Sequence, residues 1–311
     1  MMLRISICCV LFLIGLCSSE IRDRRSYLLI SSEEIDSSEF GGPPGVKDTT
    51  CKCGWRNKEQ IKIVGGKKTQ ENEYPFIAAL IDKYTNFRLC GVTLITPYHT
   101  VTAAHCTWER RVEGDPMSVV IGEYDSTKDS SIKQVIDVKR IIEHPKFHRK
   151  SLFNDIAVLV LERMVEFNKF VGPACLPTSR VNLDNKYVHI MGWGATKQGG
   201  DGSNVLKKVD VRVVPLQTCS YNYPGKINPA QQLHICTYGR DRGSCQGDSG
   251  GPVVWVDPES NRYTLIGVVS FAAGCATSKP TVNTDVFGFM DWIEKTVKET
   301  APRDQTCKKI A

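Results

Sequence analysis

From Ile63 onward one rhythm governs the chain: short runs of β-branched, aromatic and aliphatic residues, each closed by turn formers. The runs are Phe76 to Ile81, Leu89 to Ile95, Ser118 to Ile121, Ile156 to Leu161, Tyr187 to Met191, Val209 to Val214, Val253 to Val256 and Tyr263 to Ser270. Segments this short, bounded by glycine, proline and asparagine, predict the strands of an antiparallel all-β domain. The 25 glycines and 15 prolines suit turns better than long helices. Only the last periodic stretch departs from the pattern. Val286, Phe289, Met290, Ile293 and Val297 share one helical face, which predicts a terminal helix packed on the body.

The upstream part differs in texture. Met1 to Arg4 carries one positive charge, Ile5 to Leu16 is apolar, and Cys17-Ser18-Ser19 follows. Residues 1–19 therefore read as a secretory signal peptide, too short to span a bilayer. Residues 20–62 are polar, then Gly/Pro-rich at Gly41 to Gly45, and read as a pro-segment or linker. Residues 63–300 form the predicted domain and 301–311 a C-terminal tail. Of thirteen cysteines, Cys8, Cys9 and Cys17 lie in the signal, which leaves ten, an even number suited to five disulfides in an oxidising compartment. Cys51-Lys52-Cys53 lacks a second close pair and makes a poor zinc site, so no metal and no cofactor is expected. The net charge of +6 is mild and shows no basic stripe interleaved with aromatics, which argues against a nucleic-acid partner. A secreted, extracellular monomer without a membrane anchor is expected.

Three local patterns carry chemistry. Thr102-Ala103-Ala104-His105-Cys106 sets a histidine beside a cysteine. Asn154-Asp155-Ile156-Ala157-Val158-Leu159 sets an acid before an apolar run. Gly247-Asp248-Ser249-Gly250-Gly251-Pro252 sets a serine in a glycine-rich turn. Singly each is ordinary. Together they are what nucleophilic catalysis requires, because a serine hydroxyl is a poor nucleophile at neutral pH. It needs a base to take its proton, and the base needs an anion to fix its tautomer.

In the order His, Asp, Ser, over about Ile63 to Val297, the sequence resembles the chymotrypsin/trypsin family of serine proteases. The resemblance implies two antiparallel six-stranded β-barrels with a C-terminal helix. It also implies a secreted serine endopeptidase, a hydrolase working through an acyl-enzyme. Ser249 would attack the scissile carbonyl, His105 would shuttle the proton and Asp155 would hold the imidazole. The backbone N–H groups of Gly247 and Ser249 would form the oxyanion hole, and Ser270 would hydrogen-bond to Asp155. Lys62-Ile63-Val64-Gly65-Gly66 matches the family's activation junction. Cleavage after Lys62 by a trypsin-like protease would free the Ile63 amine to pair with Asp248, whose burial is costly without a partner.

The resemblance also implies the disulfides Cys90–Cys106, Cys219–Cys236 and Cys245–Cys275. It further pairs Cys175 with Cys51 or Cys53, which leaves the other for Cys307. One family bridge is absent, its positions being Val188 and Trp255. The substrate pocket would comprise Gly243, Ser244, Phe271, Ala272 and Thr281. Gly243 stands where trypsin-like enzymes have an aspartate, and Ala272 and Thr281 replace wall glycines, so small or medium apolar side chains are favoured. Glu123 matches the start of the family's calcium loop, but Lys133 replaces a later acid, and calcium is not expected. Partners implied are polypeptide substrates, the activating protease and proteinaceous inhibitors. The alternatives are trypsin-like specificity or a catalytically silent regulatory homologue. A secreted esterase with the same triad is chemically allowed, but the activation junction argues against it.

Overall fold

A computed structural model of the chain describes residues 45–57, 71–240, 243–275 and 277–311. The expected signal peptide, most of the pro-segment, Lys62 and Ile63 lie outside the described residues. The first six strands are β1 (Ile77–Asp82), β2 (Arg88–Thr96), β3 (His99–Thr102), β4 (Met117–Ile121), β5 (Gln134–Glu143) and β6 (Ala157–Leu161). They close into a barrel in the order β1-β2-β3-β6-β5-β4. The next six are β7 (Tyr187–Gly192), β8 (Lys207–Val214), β9 (His234–Tyr238), β10 (Pro252–Asp257), β11 (Arg262–Phe271) and β12 (Thr281–Asp285). They close in the order β10-β11-β12-β9-β8-β7. Closure leaves no open sheet edge to satisfy. Every strand pair is antiparallel, so the expected pair of six-stranded barrels is present.

β1, β4 and β6 are buried along their whole length, which explains why Asp82 and Ser118 are their only polar residues. One apolar cluster gathers the first barrel's interior and continues through Met191, Leu206, Val254, Leu265 and Val268 into the second. The second barrel has a smaller cluster of its own around Val188, Val211, Val213 and Ile266. Trp255 packs against that cluster on the strand beside Val188, so an indole stands where the missing disulfide would be.

The terminal helix is shifted relative to the sequence reading. Val286–Phe289 is a single 3-10 turn, capped by the Asp285 side chain accepting from Phe287 N. The α-helix proper is Met290–Thr300, with Met290, Ile293 and Val297 on its buried face. Two short helices, α1 (Trp108–Glu113) and α2 (Leu216–Asn222), bring the α-helices to three among the described residues, so the terminal one is α3.

Five disulfides cross-link the described residues: Cys51–Cys307, Cys53–Cys175, Cys90–Cys106, Cys219–Cys236 and Cys245–Cys275. No described helix is long and apolar enough to cross a membrane.

Candidate active site

The site lies where the barrels meet, because each contributes part of it. β3 ends in a 3-10 turn, Ala104–Cys106, which carries His105. The Cys90–Cys106 disulfide pins that turn to β2. Asn154 takes a left-handed φ of 54° and turns the chain into β6, which leaves Asp155 at the strand's mouth and 1% exposed. His105 Nδ1 lies 2.7 Å from Asp155 Oδ2, and the His105 backbone N–H donates to Oδ1 at 2.9 Å. The imidazole is thus held at its ring and at its own backbone.

The second barrel completes the carboxylate's shell. Pairing of β11 with β12 skips a residue between Val269 and Phe271. The extra residue of that bulge is Ser270, and bulges re-aim side chains. Ser270 Oγ donates to Asp155 Oδ2 at 2.5 Å. Thr284, which the sequence reading did not single out, donates from Oγ1 to the Asp155 carbonyl oxygen at 2.7 Å. Its signal in the sequence is faint: one threonine in the polar strand Thr-Val-Asn-Thr-Asp.

The serine is placed by glycines. Gly247 has φ 93° and Gly250 φ 74°, both in the region that side chains avoid. A Cβ on Gly250 would lie 2.1 Å from Thr102 Oγ1, so the turn can approach β3 only without one. Gly91 N donates to the Ser249 carbonyl at 2.8 Å and fixes the turn against β2. The backbone N–H groups of Gly247 and Ser249 donate to no other described residue.

Asp248 points the other way. Its carboxylate accepts from Gly194 N and Cys245 N, each at 2.9 Å. Gly192 and Gly194 were also missed in the sequence. A Cβ on either would come within 2.5 Å of the Asp248 carboxylate, so the Met-Gly-Trp-Gly run is a steric requirement of the carboxylate's seat. Burial pushes the Asp248 pKa up to about 6, against the pull of those two N–H donors. No cation among the described residues pairs with it.

Around the expected pocket, Ser244 and Thr281 are buried with their hydroxyls 3.5 Å apart, whereas Gly243 is half-buried and Ala272 exposed. Phe271 packs edge-on against Tyr223 at 5.6 Å. Tyr223 Oη donates to the Pro280 carbonyl at 2.6 Å and accepts from Ala273 N at 3.2 Å, tying both arms of the pocket loop together.

Across residues 63–293 the chain matches the model of the family described as Trypsin. The chain belongs to the trypsin family. It is similar to a venom serine protease of Polistes dominula, 38% identical over 260 residues that cover 82% of this chain and 91% of that protein. It is also similar to venom serine protease 34 of Apis mellifera, 36% identical over 80% of this chain and 61% of that protein. CLIP domain-containing serine protease HP8 of Bombyx mori is 34% identical over 89% of this chain and 78% of its own length.

Trypsin-family membership does not by itself make a working site, and here the expectation of a serine endopeptidase is corrected. Catalysis by serine hydrolysis requires the nucleophile's hydroxyl on the base. His105, Asp155 and Ser249 are all present, but only the His105–Asp155 half of the relay is formed. Ser249 Oγ makes no hydrogen bond to His105, whose Nε2 lies 3.7 Å from Cys106 Sγ. A second His–Asp pair does not supply the missing hydroxyl. His99 lies 3.6 Å from Asp304, and its Nε2 meets Thr300 Oγ1 at 2.8 Å, a threonine rather than a serine. That hydroxyl donates to the Thr296 carbonyl at 2.6 Å, so its proton is engaged within the helix. The His99 cluster is a buried tie between β3 and α3, separate from His105 and Asp155. Hydrolase chemistry, proteolysis and serine-type endopeptidase activity therefore do not follow from the chain as described; a protease-like scaffold does.

Proposed function

We propose that the single chain is a catalytically silent, latent form on the trypsin-family scaffold. The observation that carries this reading is the open relay: a seated His105–Asp155 pair with Ser249 unengaged. Asp248 supports it. A buried carboxylate with N–H donors and no described cation is a seat for an ammonium group. In this reading Lys62–Ile63 is the junction whose cleavage supplies that group, and a protease accepting lysine is the activating partner. Retention of all three triad residues, with Ser270 on Asp155, favours latency over permanent loss. Gly247 and Ser249 are the oxyanion donors held in reserve. Gly243, Ser244, Phe271, Ala272 and Thr281 form a pocket suited to small or medium apolar side chains. The five disulfides, and relatives named as venom proteases, support secretion of the chain.

A fluorophosphonate probe that labels only an activated serine tests the reading. The uncut chain is expected to stay unlabelled at Ser249, and labelling of the uncut chain overturns the proposal. Cutting after Lys62 then separates the two kinds of silence. Label gained at Ser249 means latency, whereas no label means a permanently silent regulatory homologue.

A further inference from the structure

A cavity of about 500 Å³ opens on the second barrel, and none of the three triad residues lines it. This volume falls in the range that holds small organic molecules, which commonly bind in the mouths of barrels. Leu183, Val213, Trp255 and Ile266 form apolar walls. They belong to or pack on the second barrel's own small cluster.

The polar groups of the cavity discriminate between ligand classes. Arg180 is paired with Asp285 and donates to the Gln232 carbonyl. Lys309 is paired with Asp257 at 2.7 Å and Glu259 at 2.5 Å. Both lining cations are therefore already neutralised, and an anionic ligand would have to break these pairs. His234 is different. It lines the cavity, is 6% exposed, and its Nδ1 is buried without a hydrogen-bond partner among the described residues. Burial keeps its imidazole neutral at pH 7, with a pKa near 4 despite the nearby Asp155 charge. A neutral imidazole offers one donor and one acceptor nitrogen, and a hydroxyl can serve either.

We propose that this cavity binds an uncharged aromatic compound bearing one hydroxyl group, its ring against Trp255 and its hydroxyl on His234. The site is independent of whether the protease site is latent or silent. The hydrogen bond to an otherwise unpaired buried nitrogen gives selectivity for the hydroxyl, and the paired cations give selectivity against acids.

Calorimetric titration of the full chain with 2-naphthol, naphthalene and 2-naphthoate tests it. The expected result is one saturable site for 2-naphthol, with naphthalene weaker by roughly tenfold, the scale of one hydrogen bond, and 2-naphthoate weaker than both. His234→Phe is expected to erase the difference between naphthol and naphthalene while retaining the site. Ile266→Trp is expected to fill the cavity and abolish binding of both. Equal affinity of naphthol and naphthalene for the unaltered chain overturns the proposal, as does tightest binding of naphthoate or no saturable binding at all. Should Ile266→Trp fail to fold, the histidine imidazole resonances of the unaltered chain decide. A naphthol-induced shift in the resonance that His234→Phe removes is required, and its absence also overturns the proposal.

Discussion

Asp248 and His234 are enclosed titratable groups whose effects on stability run in opposite directions. The native Asp248 carboxyl, with its pKa raised to about 6, keeps a proton that the unfolded chain gives up near pH 4. Its contribution is present below pH 4 and is lost as pH rises to 6, a change of about 2–3 kcal/mol. His234 has its pKa lowered to about 4, so the unfolded chain takes up a proton that the native imidazole refuses. Its contribution is present above about pH 6.5 and is lost as pH falls to 4, with a similar magnitude of about 3 kcal/mol. Between pH 4 and 6 the two slopes oppose each other. Asp248→Asn removes one of them, and although the amide loses one N–H partner, that cost does not vary with pH. Urea unfolding of the variant, relative to the unaltered chain, is expected to show stability climbing more steeply with pH between 4 and 6. His234→Phe is expected to do the reverse. Parallel pH profiles for the variants and the unaltered chain would mean that neither group titrates as its burial dictates.

At the scale of elements, the loop between β4 and β5 carries its own cation. Lys133 Nζ lies 2.7 Å from Glu123 Oε1, and Arg88 pairs with the other carboxylate oxygen. The Glu123 side chain is 6% exposed, so these two cations take the place of water around its carboxylate. Lys133→Met is expected to cost about 2 kcal/mol, the value of a charged hydrogen bond lost from a largely buried acid. Millimolar calcium is expected to leave the thermal midpoint of the unaltered chain where it was, and a calcium-dependent rise would contradict this arrangement. The loop shows what sequence can convey: replacement of an acid by Lys133 was legible, and its pairing with Glu123 was not. The same division runs through the fold. Strands built on an unbroken apolar run, such as β6 and Ile77 to Ile81 of β1, declare themselves. β3 and β12 do not, because His99, Thr100, Thr102, Asn283 and Thr284 are polar yet buried: His99, Thr102, Asn283 Nδ2 and Thr284 find partners elsewhere in the chain, whereas Thr100 Oγ1 and Asn283 Oδ1 have none among the described residues. The site divides likewise. His105, Asp155 and Ser249 stand in recognisable local patterns. Gly194 matters only because Asp248 folds beneath it, and Thr284 only because β12 passes behind Asp155. Whether Ser249 engages His105 is a relation between two barrels that no local pattern encodes.

Taken as a whole, the molecule treats its upstream segment as part of the body. Residues 45–57 are held by Cys53–Cys175 and Cys51–Cys307, which span 122 and 256 residues of sequence. The backbone holds independently: Gly54 N donates to the Pro173 carbonyl, Tyr263 N donates to the Gly54 carbonyl, and Thr50 N donates to the Lys308 carbonyl. Trp55 is 4% exposed with its indole N–H on the Lys169 carbonyl, and a Cβ on Gly172 would strike that indole. A chain cut after Lys62 should therefore run as one species without reductant and as two when reduced and denatured. Removing Cys51–Cys307 alone by paired alanine substitutions should leave the cut halves covalently joined through Cys53–Cys175, at a stability cost of about 2–5 kcal/mol. Removing both bridges should free the upstream piece in denaturant but not in native buffer, because burying Trp55 and pairing its backbone do not depend on sulfur. Release in native buffer would show that the disulfides alone retain the segment. Retention in all native samples would show that the segment is packed as core, so that cleavage changes the chain's connectivity without dismantling its body.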